Sequence, residues 1–184
     1  MQMGRIFLIA ILLIALTTPS AKAQDANYIH VSADAGLVAN TNRDKKLGIG
    51  GTLAWLAQDN LFSLNPRNYI SLSVKAFNNP YGDGKFVSSI MNEANDAFNY
   101  LMPLAGYRLT QQGVEDGFFV EPRIGAVFGA GYSGFAFSPI AGYALQQFNF
   151  SIYCDMGFGR ENSAIREKNF FTPGISIAYN IGIN

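Results

Sequence analysis

The sequence predicts an all-β protein: an eight-stranded antiparallel up-and-down transmembrane β-barrel with a side-chain-filled lumen. Three observations predict it. Residues 1–23 read as an export signal. Residues 24–184 break into eight short segments in which apolar residues alternate with small or polar ones. After the signal no run of 18 apolar residues remains, so no helix is long enough to cross a bilayer. Backbone amides in lipid must be satisfied internally, which leaves a closed barrel as the other spanning solution.

Composition excludes several classes. Nearly half the residues are hydrophobic (49%), while 14% are charged, against roughly 25% in an ordinary soluble domain. The aromatics (15 Phe, 9 Tyr and one Trp) argue against disorder. With 13 basic and 13 acidic residues there is no net positive charge to drive nucleic-acid binding. One cysteine cannot form a disulfide within the chain. A length of 184 residues suits one domain.

The signal comes first. Arg5 supplies a positive n-region, residues 6–16 an unbroken apolar h-region, and Ala21-Lys22-Ala23 a small-x-small cleavage pattern, so the mature chain is expected to be residues 24–184. Eight strand segments follow at 28–38, 46–56, 68–77, 100–109, 118–128, 138–146, 148–158 and 170–183. Most are close to the 9–11 residues a tilted membrane strand needs, roughly. In the last, Phe171, Pro173, Ile175, Ile177, Tyr179, Ile181 and Ile183 share one face, opposite Thr172, Gly174, Ser176, Ala178, Asn180 and Gly182. The seventh sets Phe148, Phe150, Ile152, Cys154 and Met156 against Asn149, Ser151, Tyr153, Asp155 and Gly157.

A soluble sandwich also alternates, but three features favour a barrel. The second face is rich in Gly, Ser and Ala, which suits a narrow lumen. The strand charges Asp34, Lys75, Arg108, Glu121, Arg123 and Asp155 fall on that face, where a structural salt-bridge network is expected. Aromatics cluster near strand ends on the apolar face, at Trp55, Tyr107, Tyr143 and Tyr179 towards one rim and Phe128, Phe158 and Phe171 towards the other, as two interfacial girdles require.

An even strand number puts both chain ends on the periplasmic side, so the first, third, fifth and seventh connections face outward. The third, residues 78–99, is the longest; Phe86, Val87, Ile90, Met91, Ala94, Ala97 and Phe98 predict a short amphipathic helix in it. Gln146-Gln147 reads as a tight inward turn, whereas residues 58–67 are long for one.

This arrangement resembles the small eight-stranded outer-membrane β-barrel family, the OmpA/OmpX-like porin-family barrel domains. The last strand is similar to that family's assembly signal in Thr172-Pro173-Gly174-Ile175-Ser176-Ile177-Ala178-Tyr179, although the chain continues past the aromatic through Asn180 to Asn184. The resemblance implies an outer-membrane location in a Gram-negative-type bacterium, contact with outer-membrane lipid and lipopolysaccharide, and insertion by the barrel-assembly machinery. It also implies a non-enzymatic structural or surface-interaction role through the outward loops. The alternatives are a narrow porin-like channel and a lipid-modifying enzyme.

Chemistry is sparsely encoded. His30 and Ser32 share a face, as a general base and a hydroxyl would need, but no acid or oxyanion motif adjoins them, and no catalytic residue is assigned. Cys154 is expected to face lipid as a small hydrophobe. One His and one Cys do not make a zinc site. Gly48-Ile49-Gly50-Gly51 and Gly129-Ala130-Gly131 lack the Lys-Ser/Thr of a phosphate loop, so no cofactor is expected. Asn42-Arg43-Asp44-Lys45-Lys46 reads as a solvated charge cluster able to meet lipopolysaccharide phosphates. No residue pattern names an external ligand.

Overall fold

The computed structural model describes residues 27–39, 47–59, 67–79, 98–129, 132–159 and 169–183. The export signal lies outside them, as do the residues of the helix expected in the third connection except Phe98, which is strand. Among the described residues the chain is all strand and turn. The strands are β1 (Asn27–Leu37), β2 (Leu47–Gln58), β3 (Tyr69–Asn79), β4 (Phe98–Thr110), β5 (Asp116–Glu121), β6 (Arg123–Gly129), β7 (Tyr132–Phe137), β8 (Ile140–Leu145), β9 (Phe148–Gly159) and β10 (Asn169–Ile183).

Every pairing is antiparallel, and β10 returns to pair with β1, from Asn27↔Ile183 to Gly36↔Gly174, so the sheet closes. The closed ring has eight staves. β5 and β6 form one, since both pair with β4. β7 and β8 form another, since both pair with β9. The expected fifth strand is therefore interrupted, and the sixth begins earlier than its alternation indicated, at Tyr132 rather than Ser138. Proline causes both breaks, because it has no N–H to give the ladder. Pairing resumes through carbonyls: Pro122 O accepts from Tyr107 N at 3.2 Å, and Pro139 O accepts from Cys154 N at 3.2 Å.

The strand ends Leu37, Leu47, Asn79, Phe98, Gly129, Tyr132, Gly159 and Asn169 lie at one end, the loop rim. Both described chain ends, the two-residue 146–147 hairpin and the 111–115 turn lie at the other, the turn rim. β3 and β4 reach further up the loop rim than their alternation indicated, to Asn79 and from Phe98.

Burial follows parity. Among the described residues, twenty-six large apolar side chains point out of the ring and are exposed, including Val31, Leu53, Leu72, Ile124, Ile152 and Ile175. A contiguous apolar exterior of this extent is foreign to a soluble monomer. The inverse set, from His30, Asp34 and Thr52 to Ser176 and Asn180, is buried inside. This is a barrel with its apolar face outward, not a sandwich.

Candidate functional site

The ring encloses a lumen, and the described residues inside it are stacked in layers along the axis. At the loop rim Phe77, Tyr100 and Phe170 form a continuous ring stack, with Phe77–Tyr100 centroids 4.9 Å apart and Tyr100–Phe170 5.0 Å apart. Val38, Met102 and Val127 pack with them. Glycines make room for this: a Cβ on Gly48 would meet the Phe77 ring, and one on Gly157 the Phe170 ring.

Beneath the stack lies the first charge cluster. Lys75 Nζ sits 2.8 Å from Asp155 Oδ2 and 3.4 Å from Asp34 Oδ2, and 3.2 Å above the Tyr153 ring centre. Hydroxyls complete both carboxylates. Asp155 accepts from Tyr100 Oη at 2.7 Å and from Ser138 Oγ at 2.6 Å. Asp34 accepts from Ser32 Oγ at 2.8 Å, Thr52 Oγ1 at 2.9 Å and Ser176 Oγ at 2.5 Å. Arg123 joins through Ser138, donating from Nη2 to Oγ at 2.6 Å and from Nε to the carbonyl at 3.0 Å.

A second cluster lies nearer the turn rim. Arg108 Nε donates to Glu121 Oε2 at 2.6 Å, Ser71 Oγ to Glu121 Oε1 at 2.7 Å, and the Arg108 guanidinium lies 4.5 Å over the Phe119 ring. His30 Nδ1 pairs with Asn180 Oδ1 at 2.7 Å. Asn180 Nδ2 donates onward to Asn149 Oδ1 at 3.1 Å. Last comes an apolar seal of Tyr28, Leu56, Tyr69 and Val114, with the Tyr28 and Tyr69 rings edge to face at 5.9 Å. Val114 belongs to the 111–115 turn, which folds into the barrel end rather than away from it.

The structure brings Asp34, Lys75, Arg108, Glu121, Arg123 and Asp155 together inside the ring, none more than 5% exposed. Three positive and three negative groups meet there, each held by hydrogen bonds. Burying them unpaired would cost several kcal/mol per charge, roughly. Tyr153 stands on the inward face that alternation gave it; the lumen residues that sequence reasoning passed over are the aromatic stack, Ser138 and the Val114 seal. Parity could have found Phe77, two residues beyond Lys75, and Phe170, two before Thr172.

On the outer wall Trp55, Phe128, Tyr143, Phe158 and Phe171 are exposed. Tyr107 and Tyr179 are half-buried and turn their hydroxyls to the turn rim, donating to Asp59 Oδ2 and Gln147 Oε1, each at 2.5 Å. The aromatics pair across strands: Phe118 with Tyr143 at 4.9 Å and Phe148 with Tyr179 at 5.1 Å near the turn rim, Phe135 with Phe158 and Phe158 with Phe171 near the loop rim. Cys154 is a free thiol, half-buried on the wall opposite Pro173.

The His30–Ser32 pair does not assemble as a base and nucleophile: His30 Nδ1 bonds to Asn180, and Ser32 Oγ donates to Asp34. Among the described residues no group of three or more His, Cys, Asp or Glu could hold a metal ion. The charged run at 42–46 lies outside the described residues.

No family model matches the sequence, and no curated protein matches it. The fold itself is matched by a solved structure, that of Ail, the attachment invasion locus protein of Yersinia pestis, a small eight-stranded barrel of the OmpX kind. The TM-score is 0.55 at 11% identity, over 86% of this chain and 100% of that one. Ail in complex with the heparin analogue sucrose octasulfate matches with a TM-score of 0.52 at 11% identity, over 85% and 97%. The chain therefore has the fold of an outer-membrane barrel.

Proposed function

We propose that this is an integral outer-membrane protein, exported under a signal cleaved near Ala23 and inserted by the barrel-assembly machinery, with a non-enzymatic surface-interaction role. In this reading the turn rim faces the periplasm and the loop rim faces outward, towards lipopolysaccharide and any external partner. The wall aromatics form the two interfacial girdles, and the six lumen charges are structural.

One observation carries the reading: the ring is closed, apolar outside and filled inside. A wall of this chemistry needs lipid around it. Among the described residues the lumen is sealed by apolar layers at both ends, with its charges mutually neutralised between them, which supports a filled interior over a solute path. Function then falls to the outward connections, where barrels carry recognition. That same filling weighs against the narrow channel.

The barrel also suggests which connections matter. Because β10 pairs with β1, the strand ends that lead into residues 38–46 and 160–168 are adjacent on the loop rim. Together these two connections carry Arg43, Lys45, Lys46, Arg160, Arg166 and Lys168 against Asp44, Glu161 and Glu167. A polyanionic sugar is the partner class this balance favours, in keeping with the sulfated sugar bound to Ail.

The test has two parts. The mature protein folded in detergent should migrate anomalously on a gel until boiled, and a chain without that shift is not a barrel. Immobilised sulfated oligosaccharide should then retain the folded protein in a salt-dependent manner. Replacing Arg43, Lys45, Lys46, Arg160, Arg166 and Lys168 with Gln should abolish retention and leave the gel shift intact. Retention unaffected by salt or by these changes rejects the polyanion partner.

A further inference from the structure

The outer wall is not uniformly convex. An apolar groove of about 590 Å³ runs across β2, β3, β4 and β6, lined by Trp55, Leu72, Val74, Pro103, Ala105 and Ile124 among others. Its origin is local. The registers Trp55↔Leu72, Leu72↔Ala105 and Ala105↔Ile124 place these side chains in one row across the wall. The small Ala105, with Pro103 above it, leaves a trough between the large side chains of β2 and β3 and Ile124.

The rim below the groove has a distinctive charge arrangement. Among the described residues there, Asp59, Glu115 and Asp116 are acidic, and the one cation outside the lumen is Arg67. Arg67 is exposed, its Nη1 resting 3.4 Å from the Gln111 carbonyl. It precedes β3, the strand whose Leu72 and Val74 form the groove. Leu72 and Val74 lie five and seven residues along the chain from Arg67. At about 3.3 Å per residue and a tilt of about 45° they are roughly 12 and 16 Å deeper. Half of a bilayer's hydrocarbon core is about 15 Å. With Arg67 at headgroup level outside the girdle that Trp55 marks, the groove thus occupies the depth reached by a chain that runs inward from Trp55 and Leu72 past Val74.

We propose that the groove is a binding site for one phospholipid of the inner leaflet, an acyl chain lying between Trp55 and Ile124 and the phosphate meeting Arg67. This rests on the membrane-spanning orientation proposed above. The occupant is indicated by complementarity at both ends: an apolar trough opening sideways into hydrocarbon and, among the described residues, a single cation on an otherwise acidic rim. A basic side chain at that level also attracts anionic headgroups.

The protein contains one tryptophan, Trp55, and it lines the site. The full mature barrel, reconstituted into phosphatidylcholine vesicles, is doped with phospholipid brominated along its acyl chains, and Trp55 fluorescence is followed. A specific site gives quenching that saturates at a low brominated fraction, with about fivefold preference for phosphatidylglycerol over a brominated diacylglycerol lacking phosphate. Arg67→Gln should remove the headgroup preference, and Ala105→Leu should return quenching to the linear dependence of randomly exchanging lipid. Should A105L fail to show the heat-dependent gel shift, R67Q alone decides. Linear quenching in the unmodified protein, equal for both lipids, overturns the site while leaving the membrane barrel standing. No quenching at all overturns both.

Discussion

Lys75 shows what each buried residue in this lumen has to satisfy. Its ammonium neutralises two carboxylates while lying on an aromatic face, and each carboxylate has additional hydroxyl donors. Lys75→Met should therefore cost about 3–5 kcal/mol, the usual penalty for stranding a buried partner. The two acids differ in what remains: Asp34 keeps three hydroxyl donors, Asp155 keeps two. Adding Asp155→Asn to K75M should recover much of the loss, as read by urea unfolding in detergent; a double variant no better than the single would show that Lys75 acts mainly through packing. The lumen glycines make a sharper contrast. Gly157→Ala drives a methyl into the Phe170 ring, itself fixed by Tyr100, and should cost about 1–3 kcal/mol as overpacking. At Gly182 the nearest atom to an added Cβ, Tyr28 Cε1, is 3.9 Å away. Gly182→Ala should accordingly stay within about 0.5 kcal/mol in the same assay.

At the scale of elements, the staves with strict alternation were legible and the interrupted ones were not. β1, β9 and β10 keep an apolar residue at every second position through their spans and β2 does so except at Gly51, and their expected bounds are within two residues of those observed. Pro122 lies inside an otherwise regular segment, and periodicity carries straight across it. β7 was missed because its inward positions, Gly134 and Ala136, and its neighbour Ser133 read as turn residues; only pairing with β6 and β9 makes them strand. The inward charges follow from parity alone, while the order of their partners along the axis depends on stave register, which no single strand encodes. The 146–147 hairpin is another feature set by geometry rather than composition. Gln146 sits at φ 57°, where Gly or Asn is usual. Its partner Gln147 is tied to β10 by Asn180 N at 2.8 Å and by Tyr179 Oη, so the turn cannot relax its shape. Gln146→Asn should preserve or raise the unfolding midpoint. Gln146→Val, with a branched Cβ forced to positive φ, should lose about 1–2 kcal/mol.

At the scale of the whole molecule, the described lumen residues are arranged as closures in series, and that arrangement predicts the response to an electrical potential. An ion crossing from loop rim to turn rim meets the Phe77–Tyr100–Phe170 stack, then the Lys75 and Arg108 clusters, then the Tyr28–Leu56–Tyr69–Val114 seal. Opening one layer leaves the others in place, so the total resistance stays high unless all yield together. An eight-stranded ring has an interior only wide enough for its side chains, which leaves those layers little room to move aside. In planar bilayers the protein should show no discrete conductance steps. Tyr100→Ala, which removes the centre of the outer stack and a donor to Asp155, should remain silent, and so should Leu56→Ala in the opposite seal. Reproducible steps in the unmodified protein, or in either single variant, would mean that the layers are not independent closures and that the lumen is a path.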